Sequence, residues 1–426
     1  MFKTLANAWK IKEIRDKMIF TLLMIVVFRL GMLLPVPFIQ PEVVKAIFER
    51  GQGTILQMLN MMTGGGLESL GVFALGVGPY ITSSIVVQLL TFAIPALEEI
   101  SKEGEEGKKK IQRYTRYLAL ILASVQAYAY VNGIFRTALV PDITTVQRFV
   151  VMLVLVAGAM FIVWLGDLIG EKGIGSGLSL IIFLGIISRL PDQVIAWVQS
   201  AIADPSTLLR IIPVVLIIIA TVIFVIILTQ GERRIPVQYA KRVVGRKMYG
   251  GQSTHIPLKV NMSGVMPVIF ASSLLQLPQT LALLIGGGFA DFVNKNLSFG
   301  GPVGTVVFII LQIVLIIAFA YFYNSIQFNP FEYSKNLQQY GGFIPGIRPG
   351  RPTSEFLGSI TNRITLIGAI GLAVLAVVPT IVSRVLGMSM ALAGTSVIIV
   401  VGVILETIKQ IEAMMQMRHY KGFLNK

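Results

Sequence analysis

Ten stretches of this chain are apolar over about 20 residues each, the length an α-helix needs to cross the hydrocarbon core of a bilayer. They run Met18–Leu34, Val72–Ile94, Tyr117–Phe135, Phe149–Leu165 and Gly177–Ile195, then Ile212–Gln230, Ser263–Ile285, Thr305–Asn324, Ile364–Val382 and Met390–Ile408. No single soluble core buries that much apolar sequence. Hydrophobic residues make up 54% of the chain and charged residues 13%, where soluble domains average roughly 45–50% and 25%. In lipid every backbone N–H and C=O must find its partner within the protein, so runs of this length are expected to be helices. The fold class is therefore an all-α membrane protein with ten transmembrane helices. The first run has no small-residue cleavage site behind it and is expected to be a retained helix, not a removed signal peptide. The chain has no cysteine, so disulfides hold nothing together.

The formal net charge of +15 fits membrane orientation better than nucleic-acid binding, because cytoplasmic loops collect Lys and Arg. With the N-terminus inside, roughly 27 of the 36 Lys and Arg fall in cytoplasmic segments and about 8 fall outside. Both termini are then cytoplasmic. Residues 2–16 are expected to form an amphipathic surface helix, with Phe2, Leu5, Ala6, Trp9 and Ile14 on one face and Lys10, Lys12 and Arg15 opposed. The ten spans divide five and five about Asp204-Pro205-Ser206. An odd number per half inverts one half relative to the other, a common plan among transport proteins. The expected division is an N-terminal helix at 1–17, one half at 18–205, the other at 206–408 and a cytoplasmic tail at 409–426. Large cytoplasmic loops fall at about 231–262 and 325–363.

The membrane runs carry almost no chemistry. Ion-coupled transport needs ionisable groups near the midplane, where charge is costly. Arg29, near the outer end of the first run, either snorkels to the interface or caps a neighbouring helix; the isolated Gln88, Gln276 and Gln312 are uncharged. The two histidines, His255 and His419, lie in cytoplasmic segments. The zinc motif H-E-x-x-H, the nucleophile elbow G-x-S-x-G and the phosphate loop G-x-x-x-x-G-K-[ST] are all missing. Gly173-Ile174-Gly175-Ser176-Gly177 resembles a phosphate loop only superficially and is expected to be a tight turn between two spans. No catalytic residue, cofactor or metal is expected, and any energy the protein uses must come from a partner.

Between the sixth and seventh runs stands a dense basic island, Glu232 to Arg242, continuing through Arg246, Lys247 and Lys259. Ile235, Val237 and Tyr239 alternate with Pro236, Gln238 and Ala240, and Val244-Gly245-Arg246 supplies a turn, so the island is expected to be a β-hairpin. Several longer strings are more specific. Phe73-Ala74-Leu75-Gly76 with Pro79-Tyr80-Ile81 opens the second span, and Gln252 to Asn261 (QSTHIPLKVN) leads into the seventh. Phe328-Asn329-Pro330 and Pro345-Gly346-Ile347-Arg348-Pro349-Gly350 precede the ninth. Together these strings, in this order, resemble the SecY family, the central subunits of bacterial protein-conducting channels, over nearly the whole chain.

The resemblance implies two inverted five-helix halves around a central pore, with a lateral gate between the second and seventh spans and the third and eighth beside them. It implies a channel that passes unfolded polypeptides across the bacterial cytoplasmic (inner) membrane and releases membrane segments sideways into lipid. The implied partners are SecE and SecG membrane subunits, the SecA ATPase or a ribosome, and signal sequences. A small-solute secondary transporter with inverted repeats is the alternative; a scaffold or insertase subunit without a pore is a third.

A pore for unfolded chains must still exclude ions, which a narrow aliphatic ring does by shedding water. The family match assigns that ring to Val77, Ile81 and Ile85 of the second span, Ile182 and Ile186 of the fifth (with Leu178 above them), Ile269 of the seventh and Ile399 of the tenth. Val77 stands where a bulkier Ile is common in the family. Met58-Leu59-Asn60-Met61-Met62-Thr63-Gly64-Gly65-Gly66-Leu67 is too short and broken to cross a bilayer, and within about 58–70 it resembles the family's plug; a plain external re-entrant loop is the other reading. Thr82 and Gln88, with Ser272, Ser273 and Gln276, are expected either to make polar contacts across the lateral gate or simply to pack. Arg233, Arg234, Lys241, Arg242, Arg246 and Lys247, with Arg348 and Arg351 of the later loop, are expected to dock an acidic ATPase surface or ribosomal RNA phosphates.

Overall fold

A computed structural model describes residues 7–50, 60, 65–239, 242–244, 247–249, 253–297, 302–386 and 394–424. Among the described residues, a helix lies on at least part of each apolar run: α1 (Lys12–Leu33), α2 (Gly78–Ala93), α3 (Glu105–Ala129), α4 (Thr145–Lys172), α5 (Gly177–Ile187), α6 (Leu208–Gln230), α7 (Met266–Ile285), α8 (Pro302–Gln327), α9 (Arg351–Leu386) and α10 (Thr395–Leu424). Among the described residues, six helical stretches, at α3, α4, α5, α6, α8 and α9, are long and apolar enough to cross a membrane. The bent pair at α2 makes a seventh. α1 and α10 are apolar for much of their length but admit charge, Asp16, Lys17 and Arg29 in one and Glu406, Lys409 and Glu412 in the other. Arg29 is exposed on the outer surface of α1.

Several expected boundaries move, each for a local reason. The N-terminal helix is not continuous over 2–16: residues 7–10 are helical, Ile11 is extended (φ −90°, ψ 112°), and α1 starts at Lys12. Residues 1–6 lie outside the described set. Ala8 and Ile14 are buried with Ile174 and Ile411, whereas Trp9, expected on the same face, is 45% exposed. The second span does not become helical until Gly78, with Pro79 in the first turn, where its missing N–H costs nothing. It ends at Ala93 because Pro95 disfavours helical geometry at Ile94. The chain bends there by 102° into the short helix Pro95–Lys102. The fifth span is not one helix to Ile195; it breaks at Ser188 and Arg189 before a second helix, Leu190–Ala203. α9 begins in the preceding loop, so Arg351 occupies its first turn, and α10 extends through the expected tail to Leu424.

Within each half, α2 packs on α3, α3 on α4 and α4 on α5, and likewise α7 on α8 and α8 on α9. The halves meet where α5 lies against α10 and where α2 lies against α7. Between them, Asp204 caps the one-turn helix Pro205–Thr207; its carboxylate accepts from Ser206 Oγ at 2.7 Å and Ser206 N at 3.0 Å. Those two bonds hold the Asp204 carboxyl below the usual carboxylate range. Large side chains such as Leu33, Ile202 and Leu209 remain exposed on the outside, as a lipid-facing surface requires.

The Gly173–Gly177 turn joins α4 to α5. Its backbone is bound from two directions: Ile174 N–H donates to Thr21 Oγ1 of α1 at 3.0 Å, and Gly175 N–H donates to Gln410 Oε1 of α10 at 2.6 Å. Gly175 has φ +88°. A Cβ at Gly177 would overlap the Gly166 carbonyl, so the α4–α5 approach needs a glycine there. The turn is a structural junction of α1, α4, α5 and α10.

The basic island is a sheet. β1 (Glu232–Tyr239) pairs antiparallel with β4 (Ser253–Lys259) in a register running from Glu232↔Lys259 to Gln238↔Ser253. β2 (Arg242–Val244) and β3 (Lys247–Tyr249) pair separately at the tip. Ile235 and Val237 face inward at 3% and 0% exposure, as alternation requires. One element had no forewarning: β5 (Gly342–Phe343) joins the other edge of β1, through Gln238↔Phe343 and Tyr239↔Gly342. The two large loops therefore share one sheet and one core, in which Ile235, Val237 and Leu258 meet Leu337, Ile344 and Leu357.

Candidate functional site

A cavity of about 60 Å³ lies between the halves. Val77 and Ile81 line it from the start of α2, Ile182 and Ile186 from α5, Ile269 from α7 and Ile399 from α10. Six of the seven residues expected to form a ring thus converge on one space from four separate segments. Ile85, the seventh, is 1% exposed and packs in the surrounding core without lining the cavity. The i, i+4, i+8 stripe on α2 diverges from the cavity after its second member. Leu178, one helical turn before Ile182, packs against Gly166 of α4 instead. A space of this size admits at most a few water molecules; the six aliphatic side chains offer them no hydrogen bonds, while Gln126, Tyr130, Ser272, Gln276, Thr280, Thr395 and Ser396 also border it.

α3 and the turn that follows it contribute two lining residues that no sequence signal marked, Gln126 and Tyr130. Tyr130 opens a π-helical turn, Tyr130–Ile134, that ends α3. Such a turn adds a residue to the helical repeat, so the face presented beyond it cannot be read from regular 3.6-residue spacing.

The seam between α2 and α7 is mostly closed by packing. Thr82, Ser272 and Ser273 are 5%, 5% and 1% exposed, and the two serine hydroxyls meet no hydrogen-bond partner. Ser272 and Gln276 face the cavity. Gln88 reaches α8: the Tyr323 hydroxyl donates to Gln88 Oε1 at 2.7 Å, and Gln88 Nε2 donates to Ser84 Oγ at 3.2 Å. One turn on, Phe92 meets Phe322 edge to face at 5.5 Å. Tyr323 also packs on Phe270 of α7 at 5.2 Å. The polar contact from Gln88 therefore joins α2 to α8, while Ser272 and Gln276 of α7 face the cavity. Tyr323 was not foreseen.

Of the segment 58–67, Met58, Leu59, Met61, Met62, Thr63 and Gly64 lie outside the described residues. Asn60 is 2% exposed and binds Glu68 twice, donating from Nδ2 to Oε2 at 3.0 Å and accepting the Glu68 N–H at 3.1 Å. Gly65 N–H donates to the Asn60 carbonyl at 2.9 Å. Leu67 is fully buried within the short helix Gly66–Ser69, which Leu70 ends at φ +38°. The chain beyond is tied to the end of α1: Val36 N–H donates to Leu70 O and Val72 N–H to Leu34 O.

Arg233, Arg234 and Arg348 are exposed, and the Arg351 side chain is 90% exposed. Arg234 pairs with Glu232 at 2.8 Å and Arg351 with Glu355 at 2.9 Å, local pairs that leave both cations at the surface. The Arg348 loop has a fixed path. Thr353 Oγ1 donates to the Arg348 carbonyl at 2.8 Å, and Ser334 Oγ donates to the Gly350 carbonyl at 2.7 Å. Asn329 caps the helix Pro330–Gln339 on which Ser334 sits. Arg242 and Lys247 lie on β2 and β3; Lys241 and Arg246 fall outside the described residues.

The chain is similar to known proteins along its whole length. A family model described as SecY matches residues 71–408. The protein translocase subunit SecY of Thermotoga maritima is 40% identical, with 100% of this chain and 98% of the relative covered. Its counterpart in Mycobacterium tuberculosis is 44% identical, with all of both chains covered. Solved structures share the fold at lower identity. A protein-conducting channel superposes with a TM-score of 0.69 at 18% identity, covering 94% of this chain and 92% of that one. Sec61 in the canine ribosome-channel complex from the endoplasmic reticulum reaches 0.65 at 17% identity, with the same coverages.

Proposed function

Since the chain belongs to the SecY family and is a multi-pass protein-conducting channel subunit, we propose that unfolded polypeptides cross it through the cavity bounded by Val77, Ile81, Ile182, Ile186, Ile269 and Ile399. The convergence of six aliphatic side chains from both halves on one space of about 60 Å³ carries this reading. Aliphatic walls fit any passing side chain and dewet when empty, so they hold back ions. The small-solute transporter does not survive the family assignment. Segment 58–70 acts as the plug on the outer side, in keeping with the burial of Asn60 and Leu67. The α2–α7–α8 seam is the lateral exit for signal sequences and membrane segments.

The membrane is the bacterial inner membrane, with both termini cytoplasmic, as the Lys and Arg asymmetry favours. The sheet-and-loop platform then projects into the cytoplasm, presenting Arg233, Arg234 and Arg348 to SecA or to ribosomal RNA phosphates. SecE and SecG are the expected membrane partners, and the driving energy comes from the motor. Purified chain in liposomes tests the reading: a low ion leak in the intact protein and a large one after deletion of residues 58–70. A tight membrane after that deletion removes the plug. Arg348→Glu is expected to abolish motor-driven transport with leak and abundance unchanged; continued transport removes the docking role.

A further inference from the structure

Arg189 lies three residues past Ile186, where α5 breaks before Leu190–Ala203. An ionisable side chain inside an apolar run is costly in a membrane and persists where it has work to do. Its side chain is 26% exposed, and Nη2 donates to Glu68 Oε2 at 2.8 Å. The same Glu68 oxygen accepts from buried Asn60, whose carbonyl in turn takes the Gly65 N–H. Gly65 sits against the guanidinium: its φ is +92°, and a Cβ there would stand 2.5 Å from Arg189 Nε and Nη2. One arginine at the break after α5 thus holds Asn60, Gly65 and Glu68 at the end of the segment nearest α2.

We propose that Arg189 is a positioning residue that clamps the plug segment to the break just past α5 and releases it when the ring widens. Ile186 and Arg189 share one short stretch of backbone, so an outward movement of Ile186 carries the guanidinium away from Glu68. A clamp built to let go should be weak, and this one is. The pair is partly solvated, with Glu68 44% exposed, and Arg189 Nε is buried without a partner. The clamp rests on the plug reading above, and its test separates the two.

The probe is cation leak from liposomes bearing the full chain with Arg189→Glu, Glu68→Arg, the double swap, Glu68→Gln or the 58–70 deletion. Each reversal is expected to raise resting leak about two- to five-fold, the range a solvated ion pair supports. The double swap restores the pair and is expected to return leak close to the parent level. Glu68→Gln, which keeps the bonds to Asn60, tests loss of charge at little risk to folding and should leak more than the parent. Leak unchanged in Arg189→Glu and Glu68→Gln while the deletion leaks strongly overturns the clamp and spares the plug. Failure of the double swap to rescue also overturns the clamp. A deletion that does not leak overturns the plug and the clamp with it.

Discussion

Tyr323→Phe removes one oxygen from the seam and little else. The ring keeps its place against Phe270 at 5.2 Å and Phe322 at 5.8 Å, while the 2.7 Å bond to Gln88 is lost. Hydrogen bonds between membrane helices contribute about 0.6 kcal/mol on average and at most about 1.7 kcal/mol, roughly three- to eighteen-fold in a two-state ratio. The lower end applies, because Gln88 is only half-buried and its freed Oε1 can turn to water or lipid headgroups. About a threefold shift from closed to open seam is therefore expected. The native chain has no cysteine, so Cys at Phe92 and Phe322, whose rings lie 5.5 Å apart, reports the closed fraction through a short bifunctional cross-linker. Tyr323→Phe should lower cross-linking in the resting channel, and Gln88→Leu should do the same. The two effects should not add, because each removes the same bond. Cross-linking at the parental rate in Tyr323→Phe, or fully additive losses in the double variant, would refute the claim that this bond holds α2 to α8.

Leu357→Ala removes a fully buried side chain from the core shared by the two large loops. It should cost about 2–5 kcal/mol, seen in thermal unfolding, and weaken binding of a motor or ribosome although no charge has changed. Gln410→Ala leaves the Gly175 N–H without its 2.6 Å acceptor and should cost about 1–3 kcal/mol. Gln410→Glu keeps an acceptor at that position and should melt near the parent; equal melting of the Ala variant would show that the junction of α1, α4, α5 and α10 does not depend on this bond.

What the chain suggested of the site came through the family resemblance, and its departures from the structure have specific causes. The ring assignment brought six residues to one cavity but overextended along α2, because an i, i+4, i+8 stripe follows the helix while the cavity does not. The polar residues Thr82, Gln88, Ser272, Ser273 and Gln276 mark the seam in the sequence, but nothing in their spacing says which of them meet. The partner of Gln88, Tyr323, lies 235 positions away on α8, where nothing distinguishes it from other aromatics of that helix. Arg189 fell inside a run treated as one span, so the break in α5 and the pair with Glu68 went unnoticed. The β1–β4 hairpin was plain from alternation, but β5 is two residues long and carries no pattern at all.

Sequence alone determined the class of the protein, the places of its apolar runs and the strand period of the basic island. These follow from local quantities: the free energy of taking each residue out of water, and the spacing of side chains along one helix or strand. It could not determine how each membrane helix is rotated. A helix apolar on every side has no amphipathic face to read, and its rotation is set by what its neighbours bury. The tertiary structure set aliphatic residues of α2, α5, α7 and α10, grouped by the family resemblance, around one cavity, and it alone decided that Gln88 meets Tyr323 and that Arg189 meets Glu68. It also decided that two loops, distant in sequence, are one platform, since β5 of one pairs with β1 of the other and their side chains share one core.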